Sequence, residues 1–312
     1  MESLIRIDDY PIRERRDLII VGGGPCGLAA ALIAAQNGLK PLIIDKGLAC
    51  GGQLLTWIDF PIRDVPSYPS IVAPDLAEKL LSQVKEAGVE ICGGQTVHEI
   101  TSTANQVYVS VDNNLVYAGS SALICTGVAP RTLHVPGENS IAWGNPHANA
   151  QRSGMLCVVI GGGDEACSAS LSLAASHAKV ILIARGNISA RHRFFDPVKA
   201  NPAIEIWRGE QVSSIESHGE QFLFKLASGK EVLADAAFIR IGMQPFIPKV
   251  LPRPAFHADG RLTIDSEWRT TTPLIYAGGD AVRPPAQRYI SIALADGVGA
   301  ARAIANDLSS PL

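Results

Sequence analysis

Gly22-Gly23-Gly24-Pro25-Cys26-Gly27 decides the fold, because it places glycine at the first, third and sixth positions of a turn between two regular elements. The mostly apolar residues 17–21 before it predict a strand, and the alanine-rich residues 28–36 after it predict a helix. Glycines at this spacing allow a tight turn, the approach of backbone amides to a pyrophosphate, and close helix packing. The stretch therefore predicts a dinucleotide-binding turn with the thiol of Cys26 beside the ligand.

A second apolar run, residues 41–44, ends at Asp45 about twenty residues after the turn. In dinucleotide-binding folds a carboxylate at this place meets the ribose hydroxyls. The glycine turn alone is a weak signal, whereas turn, strand and spaced acid together are specific. We include Lys46, the next residue, in the predicted site.

The composition is that of a globular protein without a nucleic-acid partner. The 312 residues are 47% apolar and 18% charged, and 27 Lys+Arg against 30 Asp+Glu give a formal charge of -3. This length allows two domains, and there is no basic excess. No apolar run is long enough to span a membrane and the N-terminus has no signal-peptide core, so we expect a cytoplasmic protein. Residues 6–16, which carry four arginines among acids, are interpreted as a solvated lead-in to the first strand, and a peripheral contact with anionic lipid headgroups is the alternative.

The cysteines show neither metal-ligand spacing nor a CxxC pair, so we predict no metal site. They are Cys26, Cys50, Cys92, Cys125, Cys157 and Cys167. In a cytosolic chain a disulfide is more typical of catalysis than of structure. Cys92, Cys125 and Cys157 lie in or beside apolar runs and are interpreted as small core residues.

A second strand, glycine turn and helix follow in the middle of the chain. Residues 156–160 predict a strand, 167–176 a helix and 180–183 another strand. The turn residues are Gly161, Gly163, Asp164, Glu165 and Ala166. The last strand is followed by Arg185 instead of an acid, and an arginine here accommodates a 2′-phosphate. These residues predict a second nucleotide site.

The last block, residues 272–280, is a strand that ends in Gly279 and Asp280, and it precedes a predicted helix over 290–308. We therefore predict an α/β fold with two Rossmann-like, three-layer nucleotide-binding domains, the second inserted in the first. The first domain would comprise residues 1–126 and 245–312, and the inserted domain residues 127–244. Thr126-Gly127 is the predicted first crossover.

Four blocks in this order resemble the low-molecular-weight thioredoxin-reductase-like flavoproteins. They are the first glycine turn, Cys50-Gly51-Gly52-Gln53-Leu54, the second turn over residues 161–166, and Tyr276-Ala277-Gly278-Gly279-Asp280. The resemblance covers residues 17–308. It implies an FAD in the discontinuous first domain and a homodimer built through that domain.

The resemblance also implies which residues hold the FAD. Pyrophosphate would lie on the first turn, ribose on Asp45, ribitol on Asp280, and the flavin near Gly52-Gln53 and the start of the last helix, whose amides would stabilise a reduced flavin. The implied set is Gly22, Gly24, Pro25, Cys26, Gly27, Asp45, Lys46, Gly52, Gln53, Leu54, Thr126, Gly127, Gly279, Asp280, Tyr289 and Ile290.

Two family features are missing. Members that reduce thioredoxin carry a CxxC shortly before the second glycine turn, where residues 142–150 contain none. Their NADPH signature, His-Arg-Arg and a further Arg, is reduced to Ala184-Arg185-Gly186 followed by Arg191 and Arg193. The loss of a guanidinium weakens the clamp on a 2′-phosphate and argues against NADPH.

With that dithiol absent, we predict Cys26 and Cys50 as the redox pair. Cys26 lies in the first turn of a helix, where we expect a lowered thiol pKa. Cys50 precedes a turn that reaches the same pyrophosphate in this fold, so the two Cα atoms could come within about 5–6 Å. The alternatives are a lone reactive Cys26, or two small residues that only fill tight turns.

Three groups of relatives share parts of the pattern. Cyanobacterial diflavin-linked disulfide oxidoreductases, the most similar, lack the inserted dithiol and hold a second FAD in place of NADPH. Thioredoxin-reductase-like ferredoxin–NADP reductases also lack the CxxC, and bacillithiol-disulfide reductases share the Gly-Gly-Gly-Pro-Cys-Gly turn.

We therefore predict an FAD-dependent disulfide oxidoreductase with two FADs per chain. A second flavin could stack on Trp57, Trp143 or a tyrosine, but core or interface packing is the favoured explanation of each aromatic taken singly. His147 is a candidate proton donor, and a loop histidine without a catalytic role is the favoured alternative. Its partner would be a dithiol/disulfide protein, a small thiol or another electron carrier. The alternatives are a ferredoxin- or NADPH-linked flavin reductase without redox cysteines, and a non-catalytic flavin-binding sensor.

Overall fold

The structure, a computed structural model, describes residues 12–56, 61–141 and 153–309. Contacts divide the chain into two compact units. One contains Met1–Val128 and Pro245–Leu312, and the other contains Ala129–Gln244. Each unit is built around its own parallel sheet.

The described residues form five helices and nineteen strands. The helices are α1 (Pro25–Gln36), α2 (Ala73–Glu86), α3 (Asp164–Ala175), α4 (His192–Ala200) and α5 (Ile290–Ser309). The strands are β1 (Ile12–Val21), β2 (Pro41–Asp45), β3 (Pro61–Ile62), β4 (Ile71–Val72), β5 (Glu90–Gly93), β6 (Val97–Ser102), β7 (Val107–Val111), β8 (Val116–Ile124), β9 (Val128–Pro130), β10 (Leu156–Ile160), β11 (Lys179–Ala184), β12 (Ile204–Arg208), β13 (Val212–His218), β14 (Gln221–Leu226), β15 (Glu231–Ala234), β16 (Ala236–Ile239), β17 (Met243–Pro245), β18 (Lys249–Leu251) and β19 (Ile275–Ala277).

The discontinuous unit is organised around β8. This strand pairs in parallel with β1 and β19, and β1 continues the parallel sheet through β2 to β5. The same strand pairs antiparallel with β7, which continues to β6, and β18 closes that edge in parallel with β6. One long strand therefore joins a parallel nucleotide-binding sheet to an antiparallel meander.

The buried residues of β1 show why three layers form. Leu18 and Ile20 point into a core with alanines of α1 and α5, whereas Ile19 and Val21 point into a core with the meander. Because side chains alternate along a strand, a run that is apolar at every position must be covered on both faces. The fold class predicted from the sequence is therefore confirmed.

The second unit repeats this plan at smaller size. Its parallel sheet has the order β12-β11-β10-β16, and β13, β14 and β15 form an antiparallel meander. α3 follows β10 directly, as α1 follows β1 in the first unit.

The described part of the chain differs from the sequence expectation in several elements. The stretch before residue 17 was interpreted as a solvated lead-in, but β1 begins at Ile12 and the guanidinium of Arg16 pairs with Glu14 and Glu90. The predicted strand over 272–280 is only three residues long, and Asp280 lies in the 3-10 turn Gly279–Ala281. Neither α2 nor α4 was predicted. Among these residues, no helix combines the length and apolar character needed to cross a membrane.

α1 and α5 lie against each other with almost no side chain between them. A Cβ at Gly297 of α5 would overlap the carbonyl oxygen of Cys26 and lie 3.0 Å from the amide nitrogen of Ala30. Glycine at residue 297 is therefore what allows α5 to reach the first turns of α1.

We predict that Gly297→Ala destabilises the protein by about 1–3 kcal/mol, because the added methyl must push two helix backbones apart. Chemical denaturation measures this change. Val298→Ala on the same helix, at a side chain that is 37% exposed, is the matched control and should leave stability nearly unchanged. Equal stability of both variants would contradict the close contact.

Candidate functional site

The first glycine turn ends in a helix terminus without a side-chain cap. Gly24 is the N-cap of α1, no side chain bonds to the cap, and Pro25 occupies the first turn. Gly22 has φ +105, and a Cβ there would lie 2.5 Å from the carbonyl oxygen of Cys125. The turn thus requires glycine, and the free amides of the helix terminus suit an anionic group.

Asp45 organises the neighbouring strand end. Its carboxylate accepts hydrogen bonds from the backbone amides of Gly23 at 2.5 Å and Gly47 at 2.6 Å. The ammonium of Lys46 lies 4.7 Å from the ring centre of Phe246. Asp45 therefore links the glycine turn to the end of β2, which is where a ribose-binding acid is expected.

The turn at Gly51 and Gly52 meets the first glycine turn. The amide of Gly51 donates to the carbonyl of Gly23 at 2.8 Å, and Gly52 has φ +55. Beside Gly24 the space is open, since the nearest atom to a Cβ there would be the Cα of Gly52 at 4.0 Å. The two turns form a backbone-lined cradle that is open beside Gly24.

Gln53 and Asp280 come together from distant parts of the chain. The Gln53 amide donates to the Asp280 carboxylate at 3.1 Å, and burial raises the pKa of this half-buried acid. Leu54 is buried beneath the turn. Tyr289 is half exposed and immediately precedes Ile290, the first residue of α5.

The hydroxyl of Thr126 is buried without a hydrogen-bond partner in the described residues. Gly127 follows with φ +63 and no atom within 4 Å of where its Cβ would be. A buried polar atom that lacks a partner is unfavourable unless a ligand or water satisfies it. The orphaned hydroxyl and the open cradle therefore fit the FAD that the family resemblance implies.

Asp296, which the sequence analysis missed, fixes the turn before Asp280. This acid is 2% exposed and accepts hydrogen bonds from the Gly279 amide at 3.0 Å, the Trp268 indole at 3.0 Å, and the Arg283 guanidinium through both oxygens. Such a satisfied buried charge holds its donors in one geometry. α5 thereby positions the turn that carries Asp280, the residue predicted to bind the ribitol.

The thiol of Cys26 contacts Cys125. Their Sγ atoms are 3.1 Å apart, and both side chains are buried. Cys125 follows β8 and precedes Thr126, so the contact joins the first turn of α1 to the end of the neighbouring strand. Cys125 was interpreted from the sequence as a core residue, and it is buried, but its contact with Cys26 was not foreseen.

The expected lowering of the Cys26 pKa is wrong. The hydrogen bond with Cys125, burial, and the nearby carboxylates raise the pKa of this thiol well above its ordinary value. Burial, and to a smaller extent Asp45, raise the pKa of Cys50 to about 12. Desolvation thus outweighs the helix terminus.

Cys50 has different neighbours from Cys26. Its Sγ occupies the space where a side chain of Gly23 would be, beside Asp45. None of the six cysteines forms a disulfide in the described residues, and the sulfur contact found there for Cys26 is with Cys125. The pairing of Cys26 with Cys50 stays a prediction, and the structure adds Cys125 as a second candidate partner.

The second glycine turn, residues 161–166, is as tight as the first. A Cβ at Gly161, whose φ is +147, would overlap the carbonyl oxygen of Arg240, whereas Gly163 faces open space as the N-cap of α3. Ala166 is buried behind the turn, Arg185 is exposed, and burial raises the pKa of Glu165.

Arg191 is already bound to a carboxylate. Asp164 accepts its backbone amide at 2.8 Å and its Nε at 2.6 Å. Partial burial opposes ionisation, but these hydrogen bonds lower the pKa of Asp164. One arginine of the weakened phosphate clamp is therefore used within the protein, while Arg193 lies over the ring of Phe194 at 4.8 Å.

Arg240 is a charged residue at this turn that the sequence analysis did not single out. It is half-buried at the end of β16, and burial lowers the pKa of its guanidinium while Glu165 raises it. A partly desolvated cation beside a nucleotide turn is suited to a phosphate. Trp57, Trp143 and His147, also named from the sequence, lie outside the described residues.

Comparisons with known proteins agree with this geometry. A family model described as pyridine nucleotide-disulphide oxidoreductase matches residues 16–297. The thioredoxin reductase of Treponema pallidum is 32% identical over 308 residues, which covers 93% of this chain and 96% of that protein.

Two solved structures illustrate the fold. Lactococcus lactis thioredoxin reductase is 25% identical with a TM-score of 0.79, and the match covers 93% of this chain and 98% of that one. The bacillithiol disulfide reductase Bdr of Bacillus cereus is 23% identical with a TM-score of 0.77, over 94% and 99% of the two chains. At 23% identity, the likeness to the Bacillus cereus protein shows a common fold and nothing more.

We predict that Asp296→Asn weakens flavin binding about tenfold, a loss of about 1.4 kcal/mol. Asp296 accepts four hydrogen bonds, and the substitution replaces one accepting oxygen by an amide nitrogen, so the turn at Gly279 is held less firmly. Flavin fluorescence during titration of the apoprotein measures it. Asp307→Asn, on the same helix but bound to Arg269 and Tyr276, is the control and should retain normal affinity. Equal affinities would remove the positioning role of Asp296.

Proposed function

We propose, since the chain belongs to the pyridine nucleotide-disulphide oxidoreductase family, that this thioredoxin-reductase-like FAD flavoprotein is a thiol/disulfide oxidoreductase in which Cys26 is a redox thiol. Support comes from one observation above the others: the Cys26 thiol lies in the first turn of α1, beside Gly278 and Gly279 and against a second thiol. The 312 residues contain no CxxC, so thiol/disulfide exchange in this protein would use another thiol.

When bound, FAD supplies a group that accepts and donates two electrons. The protein residues do the remaining work. The glycine turns and the free amides of α1 would bind the pyrophosphate, Asp45 the adenosine ribose, and Asp280 the ribitol. The unpartnered hydroxyl of Thr126 would donate to or accept from the same cofactor. The hydrogen bond with Cys125 and burial raise the pKa of the Cys26 thiol, which favours its protonated form.

We further propose that the second nucleotide turn holds another FAD. The weakened phosphate clamp supports this, because Arg191 is bound to Asp164 and the histidine and one arginine of the NADPH signature are absent. Exposed Arg185 and half-buried Arg240 favour the second candidate, an NADPH- or ferredoxin-linked flavin reductase without redox cysteines. The third candidate, a flavin-binding sensor, would use neither a redox thiol nor reduction by NADPH or ferredoxin.

The proposed partner is a dithiol/disulfide protein or a small thiol. Thioredoxin reductases are among the relatives, and a bacillithiol disulfide reductase shares the fold. A homodimer built through the FAD unit and a cytoplasmic location are parts of the same proposal. The raised pKa values of the described thiols near the flavin site match a small or flexible partner, whose own thiolate would start the exchange.

We predict that Cys26→Ser lowers flavin-dependent disulfide reduction by at least about 100-fold, because the redox thiol is removed. Anaerobic flavin bleaching by dithiothreitol, followed by oxidation with a low-molecular-weight disulfide, measures the reaction. Cys92→Ser, a half-buried thiol bonded to Tyr117, is the control and should behave as wild type.

Retention of full turnover by Cys26→Ser would refute the redox role of this thiol. Rapid bleaching by NADPH together with turnover in that variant would favour the one-flavin reductase. No spectral response to dithiol or NADPH would favour the sensor.

We predict two flavins per chain in the purified protein. Heat release followed by absorbance of the free flavin against protein concentration measures the ratio. Gly163→Asp, which places a carboxylate at the open N-cap of α3, should reduce the ratio to one while the first site stays filled. One flavin in the wild-type protein would leave the second turn to NADPH or to no nucleotide.

A further inference from the structure

We propose that the redox partner of Cys26 is Cys125 and that these two cysteines interconvert between a dithiol and a disulfide. The inference rests on the proposed thiol/disulfide function and names the second reacting sulfur. It is carried by the 3.1 Å separation of the two Sγ atoms, which have converged from residues 99 positions apart in the chain. A disulfide bond of about 2.0 Å requires the sulfurs to approach by only about 1 Å.

Rigid backbone holds both thiols in place. The amide of Cys125 donates to the carbonyl of Val21 at 2.8 Å, which extends the pairing of β8 with β1 by one residue. Cys26 lies in the first turn of α1, under Gly297 of α5. A pair whose backbones are fixed in contact reacts with each other more readily than with a third group.

The site is shaped to admit the Cys26 thiol. A Cβ at Gly278 would lie 2.9 Å from its Sγ, and a Cβ at Gly279 would lie 3.1 Å from its Cβ. These glycines leave space for the Cys26 side chain at the positions that their own side chains would otherwise occupy. Cys50 shares none of these neighbours, since its Sγ packs on Gly23.

The exchange balances with a low-molecular-weight disulfide as oxidant. The thiolate of one cysteine attacks a sulfur of the reagent, forms a mixed disulfide and releases one thiol. The second cysteine then attacks its sulfur, and a second thiol leaves. In total, two protein thiols and one small disulfide become one protein disulfide and two small thiols, with two electrons transferred.

Disulfide mapping of the FAD-loaded protein tests the proposal. The protein is incubated with oxidised glutathione, free thiols are alkylated, and the protein is digested with trypsin and a Glu-specific protease. Trypsin places Cys26 in residues 17–46 and Cys50 in residues 47–63, and cleavage after Glu99 separates Cys92 from Cys125. The expected product links the Cys26 and Cys125 peptides, with a loss of about 2 Da from the intact mass.

The rate of linkage should rise about tenfold from pH 7 to pH 8, because thiolate is the attacking species and the pKa of Cys26 is raised. Cys50→Ser should keep the linkage, and Cys125→Ser should lose it. Flavin absorbance and the thermal midpoint of each variant show that it is folded. Cys125→Ala is a second variant if the serine is not tolerated.

A link between Cys26 and Cys50, or no link in folded wild-type protein, would overturn the proposal. So would unchanged disulfide reductase turnover in folded Cys125→Ser. If the link forms while the protein shows no flavin-dependent disulfide reduction, the thiol pair stands and the proposed function fails. The two ideas therefore fail by different observations.

Discussion

The close approach of α5 to α1 is the constraint on which the candidate site depends. Gly297 allows the two backbones to meet at the carbonyl of Cys26, and Asp296 beside it accepts hydrogen bonds from Gly279 and Arg283. One turn of α5 thus fixes the first turn of α1 and the turn that carries Asp280. The first unit is discontinuous in sequence, and its two segments are held together here by backbone contact and a buried charge. These contacts leave the two turns little freedom to move.

The sequence predicted the features that depend on local patterns. Apolar runs, glycine spacing and Asp45 follow from rules that connect neighbouring residues, so the strands β1, β2, β10 and β11 and both nucleotide turns could be found without coordinates. α2 was missed because it follows a proline-rich stretch. The start of β1 was missed because its arginines resemble a solvated segment, although Arg16 lies between two acids.

The thiol geometry was beyond such rules. Cys26 and Cys50 both adjoin glycine turns, which suggested that they meet, but the direction of a side chain depends on the element that carries it. The sheet register places Cys125 beside Gly22, since Val21 lies opposite Ile124, and the first turn of α1 then brings Cys26 to Cys125. The raised pKa of Cys26 has the same origin, since it results from the hydrogen bond with Cys125 and from burial, and both depend on residues that are distant in sequence.

The contact between Arg191 and Asp164 matters for any redesign of coenzyme preference. Rebuilding the family's His-Arg-Arg pattern at the end of β11 would change Ala184 and Gly186 but would leave Arg191 on the carboxylate in the first turn of α3. The helix terminus stabilises the Asp164 carboxylate, so a phosphate would compete with this acid for Arg191. A change of coenzyme preference at this site would therefore take paired substitutions, in the first turn of α3 and at the end of β11.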